Sequence, residues 1–136
     1  WATKERRPFI KADLQARLWP YLAGIARENK MKALAIGGGG DHVHLLLSIP
    51  STLSVAKSVQ VLKGNSSKWV HDTFQEQADF EWQEGYGAFS IGFSGIEDTI
   101  KYIQGQAEHH RKKTFREELE VFLKKHGMEY VERDLE

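Results

Sequence analysis

The sequence predicts an α+β fold of the ferredoxin-like kind: a split βαββαβ antiparallel sheet with helices packed on it, plus C-terminal helices. Three observations carry this expectation. Leu14, Leu18, Leu22 and Ile25 step by four, four and three residues, the period of an amphipathic helix. Two short apolar runs, residues 31–36 and 42–49, flank a run of glycines and read as an antiparallel pair. A second helical pattern and a further aromatic, strand-like run then follow, so the order of elements fits the split motif.

To complete that order a first strand has to precede the first helix. It is expected at or before Trp1, Ala2 and Thr3, so that most of it falls ahead of a chain that opens on Trp rather than Met. Residues 9–29, entered through Pro8, form the first helix. Pro20 lacks the amide a helix interior needs, which predicts a kink or restart near Trp19. Glycines 37–40 are read as the turn of the hairpin, and Pro50 ends its second strand. Val55, Val59, Leu62, Trp69 and Val70 mark the second helix, with a break expected at Gly64 and Asn65 and a new cap at Ser66. Residues 88–93 read as the closing strand, reached through a turn at Gly85, Tyr86 and Gly87. Ser94 is then the expected cap of a helix over residues 96–114, with Glu97 as its capping-box partner. Residues 114–125 read as one more helix, ended by His126 and Gly127, and residues 128–136 as an acidic tail. The whole of residues 1–136 reads as one domain.

Composition narrows the chemistry. Of the 136 residues 40% are hydrophobic and 28% charged, enough for a real core without covalent staples. The chain has no cysteine, which excludes disulfides, thiolate zinc sites and a cysteine nucleophile, and suits a reducing cytosol. No apolar run reaches the roughly 18 residues of a membrane span, and no signal peptide is visible, so no membrane association is expected. The net charge is zero, which taken uniformly would count against a nucleic-acid partner. The charge is not uniform: Lys4, Arg6, Arg7 and Lys11 cluster early and His109, His110, Arg111, Lys112 and Lys113 late, while acid collects near the end. A neutral total can therefore hide a basic face.

Side chains alternate along a strand, so His42, His44 and Leu46 share one face while Val43, Leu45, Leu47 and Ile49 form a continuous apolar face. The two imidazoles point together, away from that apolar face and about 7 Å apart along the strand. Two neutral imidazoles so placed can chelate one cation if a third donor is supplied. A bare His-x-His is a weak signal, more often two half-exposed strand histidines than a metal site. Asp41 before it and the apolar run after it sharpen the reading, and the glycines would let backbone or nucleic acid approach closely.

On the helix that begins near Ile96, the residues Ile96, Ile100, Ile103 and Ala107 form a core stripe, and Tyr102, Gln106 and His109 a second one. Tyr102 and Gln106 are neighbours at i and i+4. A phenol, with a pKa of about 10, is a poor nucleophile at neutral pH unless its target is activated. A metal ion that polarises a phosphate supplies such activation, and the product is a covalent phosphotyrosine. On spacing alone Tyr21, Tyr86 and Tyr130 remain rivals, although neither Tyr21 nor Tyr86 has a ligand-type neighbour in a helical stripe.

Taken together, Asp41-His42-Val43-His44-Leu45-Leu46-Leu47 and the later Tyr102-Ile103-x-x-Gln106-x-x-His109-His110 resemble the small HUH single-tyrosine transposases of insertion-sequence 200-like elements and their repeat-associated relatives. Trp1 to Lys4, Trp82 to Ser90 and His126 to Tyr130 extend the resemblance over essentially the whole chain. It implies a ferredoxin-like catalytic domain in a bacterial or archaeal cytoplasm. His42, His44 and Gln106 would bind Mg²⁺ or Mn²⁺, and Tyr102 would be the nucleophile that forms a 5′-phosphotyrosine. The implied partners are hairpin-bearing single-stranded DNA and a second copy of the chain. With a cleavage site nearby, His109, His110, Arg111, Lys112 and Lys113, with Arg6 and Arg7, become candidate phosphate contacts. The glycines stand where the family often has Met-Pro before the aspartate, so the resemblance assigns no further carboxylate there. Two alternatives stay open: a domesticated hairpin-binding module without strand transfer, and a metal-dependent phosphodiesterase that uses water.

Overall fold

The computed structural model describes residues 1–105. Helix α1 spans Ala12–Glu28 and buries Leu14, Leu18, Leu22, Ile25 and Ala26. Burying each of the leucines and the isoleucine contributes on the order of 2 kcal/mol. The restart expected at Trp19 is absent, because α1 runs through Pro20 as one element. Pro20 and Ala16, whose carbonyl loses its helical partner, are both exposed, so the orphaned acceptor lies on the solvent side of the helix. Leu18 and Leu22, fully buried on either side of the proline, hold both halves on one core.

Strands β1 (Lys32–Gly39) and β2 (His42–Ser48) pair antiparallel with an irregularity between Ala33 and Ala35. The expected boundary is corrected here. Gly37, Gly38 and Gly39 belong to the strand, paired with His44, Val43 and His42, and the turn shrinks to Gly40 and Asp41. Val43 lies in the core shared with α1, and Leu45, Leu47 and Ile49 pack against it, as the alternation requires.

Helix α2 (Val55–Thr73) is capped by Ser54, whose hydroxyl accepts from Lys57 N at 3.0 Å. It too is unbroken where a break was expected. Gly64 and Asn65 are exposed, and the roughly 1 kcal/mol that a helical glycine costs is outweighed by the buried face of Ser58, Leu62, Ser66 and Val70.

The outer segments complete the sheet without forming regular strands. Ala2 bridges His42, Thr3 bridges Trp82, and both bridges are antiparallel. Val43 N donates to Trp1 O at 2.9 Å, Lys4 N to Glu81 O at 2.9 Å and Gln83 N to Ala2 O at 3.0 Å. Residues 1–3 therefore lie between β2 and residues 81–83, and β1 lies outermost on the other side. This neighbour order is that of the split βαββαβ sheet. The closing segment is not residues 88–93, which hold no regular strand. The free edge beside Thr3 is already taken by residues 81–83, anchored by buried Trp82, whose indole N–H donates to Ser66 Oγ at 2.9 Å.

Helix α3 (Ile96–Gln104) follows a short 3₁₀ turn, Phe93–Gly95. Its N-cap is Gly95, with no side-chain cap, so the Ser94–Glu97 capping box does not form. Glu97 pairs instead with Lys101 at 3.5 Å, and Thr99 Oγ1 donates to Gly95 O at 2.8 Å. The buried positions of α3 are Thr99 and Ile103, with Ile96 and Ile100 only half-buried. The remainder of the helix expected over residues 96–114, the helix over 114–125 and the acidic tail lie outside the described residues. The result is three layers: α1 and α2 on the Val43 face of the hairpin, the hairpin, and α3 on the opposite face. Among the described residues no helix is long and apolar enough to cross a membrane.

Candidate active site

The site lies between β2 and α3. Strand alternation sends His42 and His44 to the α3 face, and His42 departs from the half-exposed state that strand position alone suggests. His42 is fully buried and His44 half-buried. Their ring centroids are 5.0 Å apart with the planes 70° to one another, so the rings converge relative to the strand spacing. His42 Nδ1 lies 2.8 Å from Asp41 Oδ1. A carboxylate on that nitrogen holds its proton there and leaves the ring's lone pair on Nε2. Asp41 reaches this position because it is the second residue of a two-residue turn, directly before the strand.

Helix α3 brings Tyr102 beside His44. The Tyr102 ring centroid is 5.7 Å from that of His44, tilted by 59°. Of the rival tyrosines, Tyr21 stacks on Trp69 at 4.3 Å, bridging α1 and α2 on the other side of the sheet. Tyr86 is exposed in an irregular segment. Gln106, His109, His110, Arg111, Lys112, Lys113 and Tyr130 lie outside the described residues.

The cations near the site and on α2 divide by use. Arg7 is exposed and 3.4 Å from Glu5 Oε2, a pairing weak enough in water to yield to a phosphate. Arg6 is half-buried in a turn where both Glu5 and Arg6 adopt the left-handed region, at φ 55° and 54°. That turn is pinned beside the site through buried Thr3, whose hydroxyl lies 2.6 Å from Arg7 O and 3.2 Å from Asp41 O. Lys63 is engaged internally: its ammonium donates to Gln83 O at 2.8 Å and to Gly85 O, and sits 5.6 Å over the Trp1 ring. Burial lowers its pKa from the usual lysine value. Lys68 is paired with Asp72 at 2.6 Å.

The donor chemistry fits a divalent cation in part. Two converging imidazoles, one oriented by a carboxylate, form two thirds of a facial ligand set. Among the described residues no group of three His, Cys, Asp or Glu completes it. Sequence reasoning noted Asp41 beside the pair without assigning its contact. The signal was its place immediately before a strand histidine at a hairpin turn.

Comparison with known proteins agrees with this architecture. The family model described as "Transposase IS200 like" matches residues 1–106. The transposase for insertion sequence element IS200 of Salmonella typhimurium is 27% identical over 110 residues, covering 75% of this chain and 72% of that protein. The ISDra2 transposase TnpA of Deinococcus radiodurans is 24% identical over 111 residues, covering 78% and 79%. A crystal structure of a candidate transposase from Deinococcus radiodurans R1 matches with a TM-score of 0.64 at 25% identity, over 78% of this chain and 85% of that one. Fold and sequence matches together define the class as transposase. The chain belongs to the IS200-like transposase family.

Proposed function

We propose that this transposase cuts and rejoins single-stranded DNA at hairpin-flanked sites, with Tyr102 as its nucleophile. The observation that carries the reading is the meeting of Tyr102 and His44 at 5.7 Å, on two elements that only the tertiary fold brings together. The phenol oxygen gives up its proton to solvent as it attacks the scissile phosphorus, the bond from phosphorus to the 3′ oxygen breaks, and that oxygen takes up a proton from solvent and leaves as a 3′-hydroxyl. The enzyme then carries a 5′-phosphotyrosine. In strand transfer another 3′-hydroxyl attacks that phosphorus, and the tyrosine is released.

His42 and His44, with Gln106 as third donor, are the residues that would hold Mg²⁺ or Mn²⁺. The ion, when bound, polarises the phosphate and steadies the charge on the leaving oxygen. Asp41 fixes the orientation of His42. Arg6, Arg7 and the run His109, His110, Arg111, Lys112 and Lys113 would contact phosphates and set the register of the DNA. As in the family it resembles, the chain is expected to act as a homodimer, which light scattering of the purified protein would detect.

The test mixes the protein with Mn²⁺ and labelled single-stranded hairpins from the flanks of its own gene. A denaturation-resistant protein–DNA band is expected, and peptide mapping should place the nucleotide on the peptide that contains Tyr102. Cleavage without any covalent band would replace this reading with hydrolysis by water. Tight hairpin binding with neither cleavage nor band would replace it with a binding module.

Asp41→Asn supplies an independent check. Removing the carboxylate charge from His42 Nδ1 should weaken Mn²⁺ binding by about 10- to 100-fold, read by calorimetric titration, with the unfolding midpoint little changed. Unaltered Mn²⁺ affinity would separate Asp41 from the histidine pair's function.

A further inference from the structure

Glycine 37 occupies the position on β1 directly paired with His44 on β2. It therefore lies on the α3 face of the hairpin, beside the candidate site. A Cβ built there would fall 2.2 Å from Ile103 O, 3.0 Å from Ile103 C and 3.1 Å from Ile103 Cγ2. The two nearest atoms belong to the helix backbone, which cannot swing aside as a side-chain tip can. Ile103 is itself buried and adjoins Tyr102 in the chain. The last turn of α3 thus rests on bare strand backbone, one strand away from His44. Gly40 offers a contrast: a Cβ there meets nothing nearer than 3.7 Å.

We propose that Gly37 is a positioning residue for the reaction. By omitting a side chain it lets the end of α3 settle onto β1, and this depth of seating holds the Tyr102 ring against His44. The inference rests on the reading of Tyr102 as nucleophile and adds what sets its placement. The underlying chemistry is steric. A methyl at position 37 lifts the helix end, and a displacement of about 1 Å in a reacting group can cost on the order of 100-fold in rate. The core that stabilises the fold lies on the opposite face of the hairpin, among α1, α2 and Val43, and is untouched by the change.

The experiment compares Gly37→Ala with Gly40→Ala and Ile103→Ala in the full chain. One readout is independent of activity: the nuclear Overhauser contact between the His44 and Tyr102 rings. The others are the rate of covalent adduct formation, hairpin affinity and Mn²⁺ affinity. Gly37→Ala should lose the ring contact and slow adduct formation by roughly 100-fold, with hairpin and Mn²⁺ binding retained. Gly40→Ala should match the unaltered protein. Ile103→Ala should keep the ring contact, because the backbone seat remains.

Three results would overturn the proposal. Gly37→Ala could keep the ring contact or the rate, it could lose fold and binding together, or Ile103→Ala could reproduce its effect in full. If the unaltered protein shows the ring contact but no adduct, the nucleophile reading fails. The ring contact in Gly37→Ala then still decides whether the glycine seats the helix.

Discussion

Tyr102→Phe is expected to eliminate the covalent protein–DNA adduct while leaving the fold and hairpin binding close to those of the unaltered protein. The substitution keeps the ring, and with it the contact to His44 at 5.7 Å. Only the hydroxyl is lost, at a stability cost of about 1 kcal/mol. No other oxygen on that ring can attack phosphorus. Losses on removing a covalent nucleophile reach about 10⁶-fold, so the band should fall below detection. Tyr21→Phe provides the matched comparison. Tyr21 lies on the α1–α2 side of the sheet, stacked on Trp69, and its change should leave the adduct intact. A persisting band in Tyr102→Phe would move the nucleophile to another residue and remove the central claim.

The two histidines should be equally necessary for metal-dependent cleavage and unequal in stability. Both alanine variants are expected to abolish cleavage and to lower Mn²⁺ affinity sharply, because each removes one of two converging imidazoles 5.0 Å apart. His42 is fully buried and its Nδ1 meets the Asp41 carboxylate at 2.8 Å. His42→Ala therefore opens a cavity and strips a carboxylate of its partner, at a cost of about 2 to 4 kcal/mol. His44 is half-buried, and His44→Ala should cost nearer 1 kcal/mol. Urea unfolding midpoints, measured beside Mn²⁺ titrations, read both effects. His44→Ala is the cleaner chemical test, since its fold is expected to survive. Wild-type cleavage by that variant would show that the pair holds no catalytic ion.

The pattern of agreement between sequence and structure has physical causes. Helices α1 and α2 were legible because their apolar period is local, and burial of Leu14, Leu18, Leu22 and of Leu62, Val70 overrode the local penalties at Pro20 and Gly64. By itself the local sequence predicts breaks there, because an isolated proline or glycine disfavours a helix. Residues 88–93 have the composition of a strand but found no free edge. The place beside Thr3 went to residues 81–83, whose Trp82 sinks into the core and bonds Ser66. Glycines 37–39 look like a turn in sequence, yet they extend the strand. The need for glycine at position 37 comes from α3, a helix more than fifty residues later in the chain.

What the sequence determined by itself was the class of fold, the shared face of His42 and His44, and the residue types available for phosphoryl chemistry. Each of these follows from alternation, helical period or composition, which act over a few neighbouring residues. Only the tertiary structure decided that His42 would be fully buried against Asp41, that Lys63 would bind backbone carbonyls rather than remain a free cation, and that Tyr102 rather than Tyr21 or Tyr86 would face the histidines. Those outcomes depend on which surfaces meet across the sheet, and long-range packing is settled by competition for edges and space that no local pattern encodes.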